Sequence, residues 1–248
     1  MEKKFAIFGD IHSNIIALDA VLEDARSRGV TDFLCVGDVV GYNAAPVKCI
    51  QRIRELGCLT IRGNHDHYCS SPDVCLDDFQ PLAASVIEWT RRQLGENDQK
   101  WLRNLPLEKT LLGAFQVVHG TLDTPSDWGY VFDALSAEAS FSYQTVQLCF
   151  HGHTHVPIIY MKHNGITRLD PKEAGGSIKL EFGKRYFINV GSVGQPRDGD
   201  PRSSYAIYDH KSKVVEFVRV EYDIAAAQRQ VLDAGLPERL AQRLALGR

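Results

Sequence analysis

Long apolar runs are missing from this sequence. None approaches the ~20 residues a membrane helix requires, and the opening MEKKFAIFGD reaches an aspartate too early for a secretory signal. Like charges do not cluster either: no five acidic or basic residues stand in a row, and the formal net charge is −3. That argues against a dedicated binder of long nucleic acid, which would show a basic face. The C-x-x-C pattern is absent, and the 6 cysteines fall irregularly at 35, 49, 58, 69, 75 and 149. Cys35, Cys58 and Cys149 sit in apolar runs, where a free thiol behaves as a small hydrophobe. A reducing, cytoplasmic compartment is the expectation. Low-complexity tracts, solenoid repeats and clear linkers are also missing, so one domain over residues 1–248 is expected.

What is present is a regular alternation. FAIFG (5–9) reads as a buried strand. Residues 14–28 show helical spacing, with Ile15, Leu18, Val21, Leu22 and Ala25 on one face. FLCVG (33–37) is a second strand, 46–56 a second helix opened by Pro46, and CLTIRG (58–63) a third strand. This order implies a parallel sheet with right-handed crossovers. One or two helices follow over 79–105, then strands at 115–119 and 146–151. From 156 to 222 five strand-like runs occur with little helix, as in an antiparallel or mixed sheet. Residues 223–248 hold two short helical pieces.

Histidine is scarce, at 9 residues, yet CFHGHTHVP (149–157) places His151, His153 and His155 within five positions. Other strand-like runs end in related chemistry: FAIFG leads to Asp10 and His12, FLCVG to Asp38, LTIRG to Asn64, His65 and Asp66, and FQVV to His119. Each fragment alone has an ordinary explanation. An aspartate after a strand often caps a helix, Asn-His-Asp suits a turn, and alternate histidines suit a strand edge. Together they are harder to dismiss, because ligands of an open α/β sheet bind beyond the carboxyl ends of its strands.

Aspartate, asparagine and histidine without cysteine make a mixed oxygen and nitrogen site, suited to manganese, iron, cobalt, nickel or zinc. Seven candidates exceed one ion's needs and suit two ions sharing a carboxylate. Such a pair activates water and clamps the oxygens of an in-line displacement at phosphorus.

The series GDIH, GDVV, GNHD, VVHG and GHTH, in that order over residues 9–155, resembles the calcineurin-like metallophosphoesterases, and the strand-rich remainder resembles their small bacterial phosphodiesterase branch. The resemblance implies a four-layer α-β-β-α sandwich with mixed sheets. It implies that Asp10, His12 and His155 hold one divalent ion, that Asn64, His119 and His153 hold a second, and that Asp38 bridges them. It further implies hydrolysis of a phosphodiester or small nucleotide by a metal-bridging hydroxide, with His65 as general acid or hydrogen-bond donor and Asp66 orienting it. Alternatives are a protein-docking scaffold and a phosphoprotein phosphatase. The second motif argues against the latter, since Val39-Val40-Gly41-Tyr42 follows Asp38 where the protein phosphatases carry aspartate and arginine. Arg197, in GQPRDGDPR, is the candidate replacement for that phosphate-gripping arginine, against a plain surface salt bridge.

Neighbouring residues receive bland expectations. His151 shares the parity of His153 and His155 and reads as a supporting or strand-face histidine. His67 reads as a solvated loop residue. The loop TLDTPSDWGYVFD (121–133) carries Trp128 and Tyr130, which pack it onto the body or form a lid over a nucleobase. Tyr42 and Asn43 are near enough to touch substrate, with no fixed direction.

Overall fold

The computed structural model describes residues 3–77, 79–173 and 175–248. The first apolar run forms β1 (Lys4–Phe8), and Asn14 caps α1 (Ile15–Ser27) by accepting from the Ala17 amide at 3.2 Å. β2 (Asp32–Cys35), α2 (Pro46–Glu55) and β3 (Leu59–Thr60) follow, and the three strands pair in parallel. Next come α3 (Asn64–Ser70), α4 (Pro81–Gln93), α5 (Glu96–Arg103), β4 (Glu108–Leu111), β5 (Phe115–Val118), α6 (Ala134–Tyr143) and β6 (Leu148–His151). The remainder is β7 (Ile158–Lys162), β8 (Ile166–Leu169), β9 (Ser177–Lys179), β10 (Arg185–Asn189), β11 (Ser203–Asp209), β12 (Val214–Val220), α7 (Ile224–Asp233) and α8 (Glu238–Leu246).

The strands form two mixed sheets, in the orders β3-β2-β1-β11-β12-β9 and β4-β5-β6-β10-β7-β8. Alternation along β1 shows how they stack: Phe5 and Ile7 enter the core between the sheets, while Ala6 and Phe8 face α1 and α2. On the far side, Phe141 of α6 packs with Cys149 and Phe187 against the second sheet. The layers are therefore α, β, β, α. Burying one such aromatic or branched side chain contributes roughly 1.5–3 kcal/mol, so the inter-sheet core fixes the strand ends firmly relative to one another.

The stretch 156–222 does not build a sheet of its own. β7, β8 and β10 join the second sheet, and β9, β11 and β12 join the first. β10 and β11 are buried over nearly their whole length and lie inside their sheets, β10 parallel to β6 and β11 antiparallel to β1. Among the described residues, no helix is long and apolar enough to cross a membrane.

Candidate metal centre

The parallel strands β1, β2, β3, β5 and β6 deliver their carboxyl ends to one place. The chain leaving β1 is tied to the chain leaving β2 by the Asp10 amide on Gly37 O at 2.9 Å and the His12 amide on Asp38 O at 2.9 Å. The chain leaving β6 is tied to that leaving β5 by the Gly152 amide on His119 O at 3.0 Å. Donor atoms of Asp10, His12, Asp38 and His155 all lie within 4.8 Å of one another, and so do those of Asp38, His119 and His153. Asp38 belongs to both groups. Its Oδ2 lies 3.6 Å from His12 Nε2 and 3.3 Å from His119 Nε2. Asn64, the first residue of α3, joins the second group with Oδ1 3.2 Å from His119 Nε2. All seven sequence-derived candidates thus converge, in the grouping the motifs imply.

Backbone carbonyls orient the imidazoles. His12 Nδ1 faces Val40 O at 3.1 Å, His119 Nδ1 faces Val36 O at 2.8 Å, His153 Nε2 faces Trp128 O at 2.8 Å, and His155 Nδ1 faces Gln195 O at 2.6 Å. A carbonyl only accepts, so each facing nitrogen carries the proton. In the neutral, ligand-ready ring the other nitrogen is bare and points inward. Bare His12 Nε2 then meets bare His155 Nε2 at 3.0 Å, and bare His119 Nε2 meets bare His153 Nδ1 at 3.1 Å. Two lone pairs so close repel each other unless a cation lies beside them. Asp10 Oδ1 is buried there without a hydrogen-bond partner, 3.2 Å from His155 Nε2. These donors fit divalent cations on chemical grounds.

The electrostatics agree. Burial opposes ionisation of Asp38, but His119 and the other imidazoles outweigh it and hold the carboxyl well below its usual value. Asp10 is also lowered, burial opposing and His155 prevailing. Burial alone would depress His119, yet Asp38 and Asp10 lift it to about 9, so without a cation its Nε2 takes up a proton facing Asp38 Oδ2 at 3.3 Å, and a bound cation would displace that proton. The dominant local demand is for positive charge.

Backbone strain marks the same residues. Asp10, His12, Asp38, His153 and His155 have φ of 49°, 48°, 54°, 69° and 61°. Each left-handed non-glycine residue costs of order 1–3 kcal/mol and persists only where its surroundings impose it.

These features decide the family. A model of the calcineurin-like phosphoesterase superfamily domain matches residues 4–213. The chain belongs to the calcineurin-like phosphoesterase superfamily. Over its whole length it is 39% identical to an uncharacterised protein of Methanocaldococcus jannaschii, MJ0912, which it covers completely. A metallophosphoesterase from Sphaerobacter thermophilus, 40% identical, superposes with a TM-score of 0.87 and full coverage of both chains. The hypothetical protein PH1004 from Pyrococcus horikoshii shares 20% identity and the fold, with a TM-score of 0.80 over 99% of this chain and 98% of that one. As a phosphoesterase of this superfamily, the chain carries a His/Asp cluster suited to metal ions.

Two expectations need correction. Asp66 does not orient His65. Its Oδ2 accepts from the amides of Asp38 at 2.8 Å and Gly63 at 3.0 Å, and its Oδ1 from those of Val39 at 2.8 Å and Val40 at 3.3 Å. Burial first, then Asp38, push its carboxyl up to about 7, while the Gly63 and Val40 amides pull it down. Asp66 is thus a buried acceptor that shapes the backbone around Asp38. Asp66→Ala strands four amides, each costing ~1–3 kcal/mol if left unpaired. Urea unfolding should show a loss of at least ~3 kcal/mol after partial rehydration, and a stable variant would refute this role.

His65 is not poised as a protonated acid. It is buried, with Nδ1 enclosed and unpartnered. A Cβ on Gly41, whose φ is +96°, would lie 2.5 Å from that nitrogen, so glycine makes room for the ring. Burial first, opposed by Asp38 and reinforced by Arg197, lowers His65 to about 4. A neutral ring with its proton on Nε2 remains a hydrogen-bond donor.

Other neighbours sort clearly. His151 is a strand-face residue of β6, as expected, and the left-handed turn at His153 separates it from the side taken by His153 and His155. It faces the outer side of the second sheet, stacked on Phe187 at 4.1 Å. His67 is half-buried on α3, 6.0 Å from the Trp128 ring. Trp128 is buried and its carbonyl anchors His153, whereas Tyr130 is 48% exposed and stacks on His153 at 3.9 Å. Asn43 is buried and donates to His12 O at 2.8 Å. Tyr42 packs edge-on against His12 at 4.7 Å and lies 4.4 Å from His65. No residue pattern marks the carbonyl anchors Val36, Val40, Trp128 and Gln195, since every residue offers a carbonyl. Asn189 and Ser192, which the sequence reading did not single out, support the site: Asn189 donates to Thr154 Oγ1 at 3.0 Å and Ser192 to Asp10 O at 2.8 Å.

Proposed function

We propose that this phosphoesterase uses two divalent ions to hydrolyse phosphodiesters or small nucleotides. The observation that carries the reading is Asp38, one buried carboxylate shared by two groups of bare ligand nitrogens. When bound, such ions supply Lewis-acid charge at the phosphoryl oxygens and lower the pKa of water. Asp10, His12 and His155 would hold one, and Asn64, His119 and His153 the other. Manganese, iron, cobalt, nickel and zinc all suit these donors. His65, as a neutral imidazole, donates a hydrogen bond from Nε2 to the oxygen on which charge develops. Arg197, whose Cζ sits 5.6 Å from the Tyr42 ring centre, stands at the rim and holds the anionic substrate. A docking scaffold gives no reason for four bare nitrogens trained on buried carboxylates.

Reconstitution tests this. Chelator-stripped protein should be inactive towards bis(p-nitrophenyl) phosphate, and activity should return with each divalent ion added until about two are bound per chain. The diester should be preferred over p-nitrophenyl phosphate. Full activity in the stripped protein, or saturation at one ion, would refute the proposal.

A further inference from the structure

The loop 121–133 divides its aromatic residues between two roles. Trp128 is buried and holds His153 through its carbonyl. Val131 is buried too, and joins Leu122, Phe141 and Tyr160 in the core beneath α6. Tyr130 and Phe132 flank Val131 and leave that core, 48% and 65% exposed. Both ends of the loop are fixed. The Leu122 amide donates to Ser140 Oγ at 3.1 Å, and Asp133 caps α6 by accepting from the Ser136 amide at 2.8 Å.

The two exposed rings are ordered relative to the metal centre. Tyr130 stacks on the candidate ligand His153, with centroids 3.9 Å apart and planes at 22°. Phe132 stacks on Tyr130 at 5.3 Å, with planes at 6°. Three rings thus follow one another from a buried ligand to the surface. Leu135, also exposed, follows in the first turn of α6. Among the described residues, 8 large hydrophobic side chains are exposed, and Tyr130, Phe132 and Leu135 put three of them within six positions. Single exposed apolar residues are ordinary, whereas a cluster of them beside polar groups marks a binding surface. Here the cluster is continuous with the metal centre through His153, and what it presents is a parallel stack that one more flat ring can extend.

We propose that Phe132, backed by Tyr130, is a stacking platform for a planar ring of the substrate, of nucleobase size, whose phosphate lies at the metal centre. This rests on the phosphoesterase reading of that centre and narrows the substrate class to phosphoesters that carry such a ring. Every nucleobase has a π face, so the platform selects for planarity rather than for one base. The rings are already stacked without the ligand, so little side-chain freedom is lost when it binds.

Calorimetric titration of the metal-loaded protein tests this. The probes are adenosine 5′-monophosphate and ribose 5-phosphate, which share phosphate and sugar and differ by the base. The nucleotide should bind ~10-fold or more tighter, the scale of one base stacked on an aromatic side chain. Phe132→Leu should cut that ratio to under ~3-fold, because leucine keeps an apolar side chain but offers no flat face. Phe132→Trp should keep or raise it. The readout is a ratio within each variant, so loss of folded protein moves both affinities alike. Equal affinities in the wild type, no binding of either probe, or an unchanged ratio in Phe132→Leu overturns the platform. An unchanged ratio together with a smaller sedimenting species would assign the cluster to contacts between copies of the chain instead. Turnover of the aryl diester by the wild-type protein is scored separately. Preference for the nucleotide without turnover would remove the hydrolase reading and leave the platform standing, and turnover without preference would do the reverse.

Discussion

Asp38→Asn should lower the metal content from about two ions per chain to one or fewer, and reduce phosphodiester hydrolysis by on the order of 10³-fold or more. Asn is the informative replacement because Asp38 has φ of 54°, a conformation asparagine tolerates and alanine resists. The shape and the acceptor for the His65 amide, now 2.8 Å from Oδ1, can both survive. What disappears is the negative charge shared between His12 and His119. Without it, both nitrogen groups lose affinity for a cation. The rate estimate follows from the several kcal/mol of transition-state stabilisation a catalytic ion supplies, at 1.36 kcal/mol per tenfold. Elemental analysis decides the matter: a ratio equal to wild type would end the bridging assignment.

His65→Ala should act in the opposite pattern, with metal content preserved and hydrolysis reduced by ~10²-fold or more, the scale of losing one preorganised donor to a developing oxyanion. Metal content survives because the link from residue 65 to Asp38 is its backbone amide, which any residue provides. A pH series distinguishes a neutral donor from a general acid. A group at about 4 stays deprotonated across neutral pH. The wild-type to variant rate ratio should therefore stay flat from pH 6 to 8, whereas an acid of ordinary histidine pKa would lose its advantage as pH rises through 6.5. Activity within twofold of wild type would remove His65 from the chemistry.

The parts legible in the sequence share one property: the signal lies in the side chains. Strand ends β1, β2, β5 and β6 combine an apolar run with glycine or histidine, and the motif series they form carries the resemblance that implies the seven candidate ligands. α3 was read as a turn, because NHDHYCS carries little apolar periodicity; a capping contact from Asp66 to Gly63 starts it instead. β4 and β8 escaped notice because EKTL and ITRL are mostly exposed edge segments. α6, ALSAEASFSY, is too evenly mixed to show a face. Asp66 was misassigned for a different reason. Its partners are main-chain amides, which carry no residue code, so the pairing with His65 that the family resemblance implied is replaced by the structure.

The insertion of β10 and β11 into the middles of the two sheets sets a timetable for biosynthesis. All seven candidate ligands leave the ribosome by residue 155, but β6 and β1 lack their central neighbours until residues 185–209 have followed. Domains acquire their cores as units during synthesis, and pairings this distant along the chain form late. On the two-ion reading proposed above, loading with metal is therefore an event that follows synthesis of β10 and β11, and a nascent chain stalled before them, though it already displays every candidate ligand, should bind divalent ions no better than an unfolded chain.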